Sequence, residues 1–111
     1  MTIASLKALA GLVPLGSQAD VRRFRPNIVI GMDEAEPGFP RSAGGCGSAT
    51  RWVAVTEPCE RCSFTALAQG ELPFANEVLH AIARHGGGGF GALASVVEAP
   101  PIQHGDAVSL I

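Results

Sequence analysis

The segment Thr56-Glu57-Pro58-Cys59-Glu60-Arg61-Cys62 sets two thiols three positions apart with a guanidinium between them. Cysteines at that spacing can chelate one metal ion, exchange a disulfide, or present one reactive sulfur beside a helper, and the charge of Arg61 favours the thiolate form. Structural zinc wants four ligands, usually from a second close pair. Here Cys46, His80, His85 and His104 are scattered at no ligand spacing, so the pair amounts to a zinc half-site that a partner or a second copy would have to complete. A thioredoxin-like dithiol opens a helix after a strand, whereas this one lies between two strand-like runs. Packing both thiols as small hydrophobes is always available, but it leaves Glu60 and Arg61 between them without a reason.

A second cluster, Arg22-Arg23-Phe24-Arg25-Pro26-Asn27, precedes the β-branched run Ile28-Val29-Ile30. Three guanidiniums and an amide can grip an anion, because Arg offers a planar fork matched to phosphate and Asn adds a directed donor. A solvated run of surface arginines is the competing reading. The quartet Gly86 to Gly89 lacks the Lys-Ser or Lys-Thr ending of a phosphate loop and precedes a strand-like run, so it reads as a flexible connection. No role falls to the three histidines.

The elements that must position these groups follow from periodicity. Residues 2–11 read as a helix with Leu6, Leu9 and Ala10 on one face and Thr2 or Ser5 as cap, stopped by Pro14 and Gly16. A strand starts at Pro26. From 31 to 50 the pattern vanishes into five Gly and two Pro, which marks residues 31–51 as an irregular insert. Trp52 to Val55 reads as a strand, Pro58 as a turn, and Cys62 to Leu67 as the paired strand. Pro73 suits the first turn of a helix that carries Phe74, Val78, Leu79 and Ile82 up to His85. Phe90 to Glu98 and Ala107 to Ile111 supply two further strands, the latter after a turn at Gly105-Asp106. Short strands with two helices imply a mainly β or α+β domain, a small barrel with peripheral helices.

At 111 residues there is room for one domain, 1–111, and no more. Hydrophobic residues make up 47% and charged ones 16%, the balance of a packed globule. Eight basic against ten acidic residues leave a net charge of −2, which disfavours nucleic acid as a partner because that needs a basic stripe. No apolar run approaches a bilayer span, so no membrane is expected. Three cysteines without an export signal point to reduced thiols and the cytoplasm.

Taken in order, Phe24-Arg25-Pro26-Asn27-Ile28-Val29-Ile30, Cys59-Glu60-Arg61-Cys62 with Thr65, Phe90-Gly91, and Gly105-Asp106 with Val108 resemble a MOSC domain, the C-terminal domain of molybdenum-cofactor sulfurases. It is also similar to the C-terminal part of the mitochondrial amidoxime-reducing component and its bacterial relatives. The resemblance implies a small β-barrel-like fold and the molybdenum cofactor (molybdopterin) as ligand. It implies that Cys62 ligates molybdenum or carries transferable sulfur, that Arg25 and Asn27 hold the pterin phosphate, and that Arg61 contacts the cofactor or tunes the thiolate. The implied chemistry is reduction of N-hydroxylated compounds or sulfur carriage to the cofactor, with an electron-donor protein as partner in the first case.

The departures are specific. The reductase branch has a further N-terminal β-rich half, and this chain starts where that half would join, which implies a truncated product, a split protein with a partner chain, or a stand-alone remnant. The sulfurase branch has a pyridoxal-phosphate domain, whereas the single lysine here, Lys7, has no pyridoxal context. Residues 40–52 replace an acidic, Trp and Leu-Gly-Asp-like segment of the relatives. In GC-rich codons the same stretch read two bases later can encode that kind of segment, as two compensating frame errors would leave it; a divergent glycine-rich loop is the competing reading. The coding DNA decides between them, since codons incompatible with the shifted translation end the frame-error idea.

Overall fold

Thr2 opens the first element. Extended itself, it accepts the Ser5 amide on its hydroxyl at 3.1 Å and so caps helix α1, Ile3–Ala10. The helix stops at Gly11, well before Pro14, and buries Leu9 with Leu6 packed alongside. The computed structural model describes residues 1–31, 45–48, 51–98 and 101–110.

Among the described residues four strands follow: β1, Gly45–Ser48; β2, Arg51–Glu60; β3, Gly89–Val96; and β4, Ser109–Leu110. They form one antiparallel sheet in the order β3-β2-β1-β4. Helix α2, Asn76–Gly86, lies between β2 and β3 in sequence. Its Val78, Ala81 and Ile82 join Leu9, Val13, Phe24, Ala75 and Phe90 in the core. Glu77 in its first turn and Arg84 and His85 in its last suit the helix dipole. Left-handed Gly87 closes it. The class is therefore α+β. Among the described residues the sheet is open, with β3 and β4 as its outer strands, and Leu93 and Val96 at the far end of β3 are exposed.

Several expectations need correction. The stretch read as irregular contains β1, which pairs with β2 from Gly45↔Ala54 to Ser48↔Arg51. Backbone pairing of a glycine-rich strand needs no apolar alternation, so periodicity could not reveal it. The rest of that stretch, 32–44 and 49–50, lies outside the described residues. Pro58 makes no turn: it stays in β2 opposite Ala92, between two register shifts. Because β1 reaches β2 only as far as Ala54, a missing N–H at Pro58 interrupts no ladder on that side.

The strand expected from Pro26 shrinks to one parallel bridge, Thr2↔Ile30, with Ile30 donating to the Met1 carbonyl and Ile3 to the Ile30 carbonyl, each at 2.9 Å. Ile28 and Val29 remain exposed, and β-branched residues favour a strand only where a covered pleat receives them. In place of a strand at 62–67 there is a 3₁₀ turn, Ser63–Thr65, in which Thr65 returns both its amide and its hydroxyl to the Cys62 carbonyl. Helix α2 begins after Pro73, because that carbonyl accepts from Arg23 at 2.6 Å and the Ala75 amide goes to Ala66 at 2.8 Å.

Arg23 is the pivot of these contacts. It is 1% exposed and donates Nε to Gln18 O at 2.8 Å, Nη1 to Leu67 O at 3.2 Å and Nη2 to Pro73 O at 2.6 Å. Arg23→Met keeps part of the volume and removes all three bonds. It should lower unfolding stability by about 3 kcal/mol, seen as a lower urea midpoint, and Arg23→Lys should recover only part because an ammonium lacks the three-way fork.

Candidate functional site

Asp20 caps the 3₁₀ turn Val21–Phe24 by accepting the Arg22 amide at 2.8 Å. The same carboxylate takes Arg22 Nε at 3.0 Å and Nη2 at 2.9 Å. The Arg22 guanidinium, followed by its backbone N–H, holds the Asp20 carboxyl below its ordinary value, and Asp20 in turn raises Arg22. Of the three arginines in the cluster, Arg22 is thus neutralised and Arg23 is buried in structure. Of the anion grip that three guanidiniums could offer, only Arg25 is left without a described partner.

Arg25 is different. It ends the turn in a left-handed conformation, φ 47° and ψ 49°, the one non-glycine among the described residues to do so. The following Pro26 disfavours a right-handed helical residue there, and a left-handed L-residue costs about 1–2 kcal/mol. The side chain is exposed and has no hydrogen bond or ion pair among the described residues. It lines a wide, solvent-open hollow of about 440 Å³ together with Val21, Arg22, Pro26 and Val29. Asn27 is exposed two residues on and equally without a described side-chain partner, off the lining of that hollow.

The two thiols of the motif differ in the same way. Cys59, in β2, is half-buried and directs Sγ to the Glu60 carbonyl at 3.8 Å. Cys62, just beyond β2 and extended (φ −105°, ψ −178°), carries an exposed free thiol. The side chain of Cys46 lies outside the described residues. Among the described residues no three His, Cys, Asp or Glu side chains gather as a metal set.

Arg61 joins the two halves. Its Nε donates to Phe90 O at 2.6 Å and its Nη1 to Phe24 O at 3.2 Å, while its guanidinium carbon lies 5.4 Å from the Phe24 ring centre. The Phe24 and Phe90 rings are in tilted contact, with centroids 4.7 Å apart and planes at 49°. Gly91, at φ 91°, lies against the guanidinium, and a Cβ there would stand 2.9 Å from Nη2. The bond to Phe24 O falls on the peptide that begins Arg25, and Arg61 itself precedes Cys62. The separate structural duties of Arg23 and Arg61 escaped sequence reasoning. The one local clue was Asp20 two residues before Arg22, which marks that arginine as the paired one.

The family model described as MOSC domain matches residues 1–109, and the chain belongs to that family. This makes it a molybdenum-cofactor-related domain. No curated protein and no solved structure matches the chain. Among the described residues no helix is long and apolar enough to cross a membrane.

Asp20→Ala removes the cap of the turn that leads into Arg25 and should cost about 1 kcal/mol at neutral pH. Because the folded carboxyl titrates below its ordinary value, this contribution is complete above the ordinary carboxylate pKa. It is lost as pH falls through the lower folded value. Urea unfolding of both proteins should therefore show a gap at neutral pH that closes in strong acid.

Proposed function

We propose that the chain is a molybdenum-cofactor-binding MOSC domain in which Cys62 supplies the metal-ligating or sulfur-carrying thiolate and Arg25, with Asn27, holds the pterin phosphate. The observation that carries this reading is that the Arg25 guanidinium and the Cys62 thiol, both exposed and without a described partner, stand on backbone segments that the Arg61 bond to Phe24 O joins. Their chemistry suits the group, although the hollow that Arg25 lines does not include Cys62. A free exposed thiol is a soft donor suited to molybdenum, and an arginine beside apolar Val21, Pro26 and Val29 suits a planar ring system ending in phosphate.

When bound, the cofactor supplies two-electron redox or sulfur-acceptor chemistry. Arg25 would offer its fork to phosphate oxygens, and Asn27 would add a neutral donor. Cys62, exposed and free, would supply the sulfur donor. Asp20 keeps Arg22 occupied, so that one guanidinium faces the anion without competition.

In this reading the open sheet is completed towards a barrel by a further β-rich half, on the same or a partner chain, and the domain 1–111 serves either reduction of N-hydroxylated compounds or sulfur carriage. An electron-donor protein is then required for the reductive role, and a reducing compartment such as the cytoplasm suits the free thiols.

Cys62→Ala should abolish retention of pterin during purification from a cell that makes the cofactor, with Cys59→Ala nearly unaffected. Arg25→Ala should reduce retention about tenfold or more, in line with the loss of a charge-assisted pair. Equal losses from both cysteine variants would replace this reading with a symmetric dithiol site.

A further inference from the structure

We infer that Arg61 is a positioning residue: clamped between the Phe24 and Phe90 carbonyls, it fixes the span between the Cys62 thiolate and the Arg25 guanidinium and does not itself touch the ligand. The inference rests on the proposed roles of Cys62 and Arg25 and assigns a different part to the arginine between the cysteines.

Adjacent residues of an extended chain send their side chains to opposite sides. Arg61 turns inward, half-buried over the Phe24 ring, while the extended Cys62 turns its thiol to solvent. A guanidinium used for a ligand would keep a paired edge of its fork outward. Here Nε and Nη1 are divided between carbonyls of two different segments. The remaining nitrogen, Nη2, sits against Gly91, where even a methyl group would collide at 2.9 Å. The Gly91 slot thus confines the fork from a third direction.

The consequence falls on Arg25. A left-handed arginine is strained and persists only where its neighbours over-determine it. The peptide from Phe24 into Arg25 is held at its carbonyl by Arg61, and Arg23, just before Phe24, is anchored by its own side chain on three carbonyls. Arg61 also fixes its own backbone, with its amide on Gly88 O at 2.9 Å. One side chain therefore ties the backbone leading to the thiol to the backbone leading to the anion grip.

The test uses the full chain with Cys46→Ser and Cys59→Ser, so that a nitroxide attached at Cys62 is the only label. In this parent, the spin label should broaden the Arg25 amide resonance strongly. In Arg61→Met the Arg25 amide exchange should rise about tenfold, as for a locally opened segment, and the broadening at Arg25 should change in size without vanishing, because Arg23 and Gln69 still dock the two turns, while the Val78 and Ile82 amides of α2 are unchanged. Arg61→Lys, which keeps the charge and cannot bridge both carbonyls, should show the same rise. Unchanged exchange and broadening at Arg25 in either folded variant overturns the inference.

Inorganic phosphate is then titrated against the unlabelled parent and Arg61→Met. The parent should shift the Arg25 and Cys62 resonances together, and the variant only those of Arg25. A variant that keeps the Arg25 geometry yet loses the phosphate response at Arg25 would make Arg61 a direct ligand and overturn the inference. A parent that shows no phosphate response rejects the anion-grip reading alone, since the broadening experiment still decides the role of Arg61.

Discussion

A guanidinium buried to 1% exposure, in no ion pair among the described residues and bonded to carbonyls, is the constraint around which this domain is arranged. A buried charge is tolerable only when its donors are satisfied. Arg23 satisfies its own on carbonyls of Gln18, Leu67 and Pro73, drawn from three separate segments. Gln69 reinforces the arrangement by donating to both Arg23 O and Phe64 O. The segments cannot part without stranding the charge. That single requirement delays helix α2 until Asn76 and docks the turn after Cys62 onto the turn before Arg25.

Arg61 transmits the constraint to the site. Its two carbonyl bonds and its contact with Phe24 lock the end of β2 to the start of β3 and to the peptide before Arg25. The strain at Arg25 is thereby sustained by a rigid surrounding, and the cost is recovered as a cation held at the rim of a hollow and not folded back onto the protein. Four arginines that look alike in sequence thus divide into one paired with a carboxylate, one that anchors three carbonyls, one that bridges two segments and one without a described partner.

Much of the fold was legible. The cap and apolar face of α1, the periodicity of Val78 and Ile82 in α2, and β3 from Phe90 onward all follow local rules that tertiary contacts left in force. Local rules failed where tertiary contacts overrode them. Pro73 looks like a helix start, yet its carbonyl belongs to Arg23. The β-branched run Ile28 to Ile30 finds only one bridge, and β1 hides in glycines because its pairing is made by backbone alone. The family was recognisable because Phe24-Arg25-Pro26-Asn27 and Cys59-Glu60-Arg61-Cys62 carry groups that few other residues can imitate. Which arginine faces solvent depends on carbonyls dozens of residues away, and no spacing reveals that.

Retention of the molybdenum cofactor through Cys62 and Arg25, as proposed, is tested most directly by the metal and pterin content of the chain purified from a cell that makes the cofactor, by elemental mass analysis with fluorescence of the oxidised pterin. Molybdenum and pterin in similar amounts is the result predicted here. Zinc without pterin, or neither metal nor pterin, would contradict it.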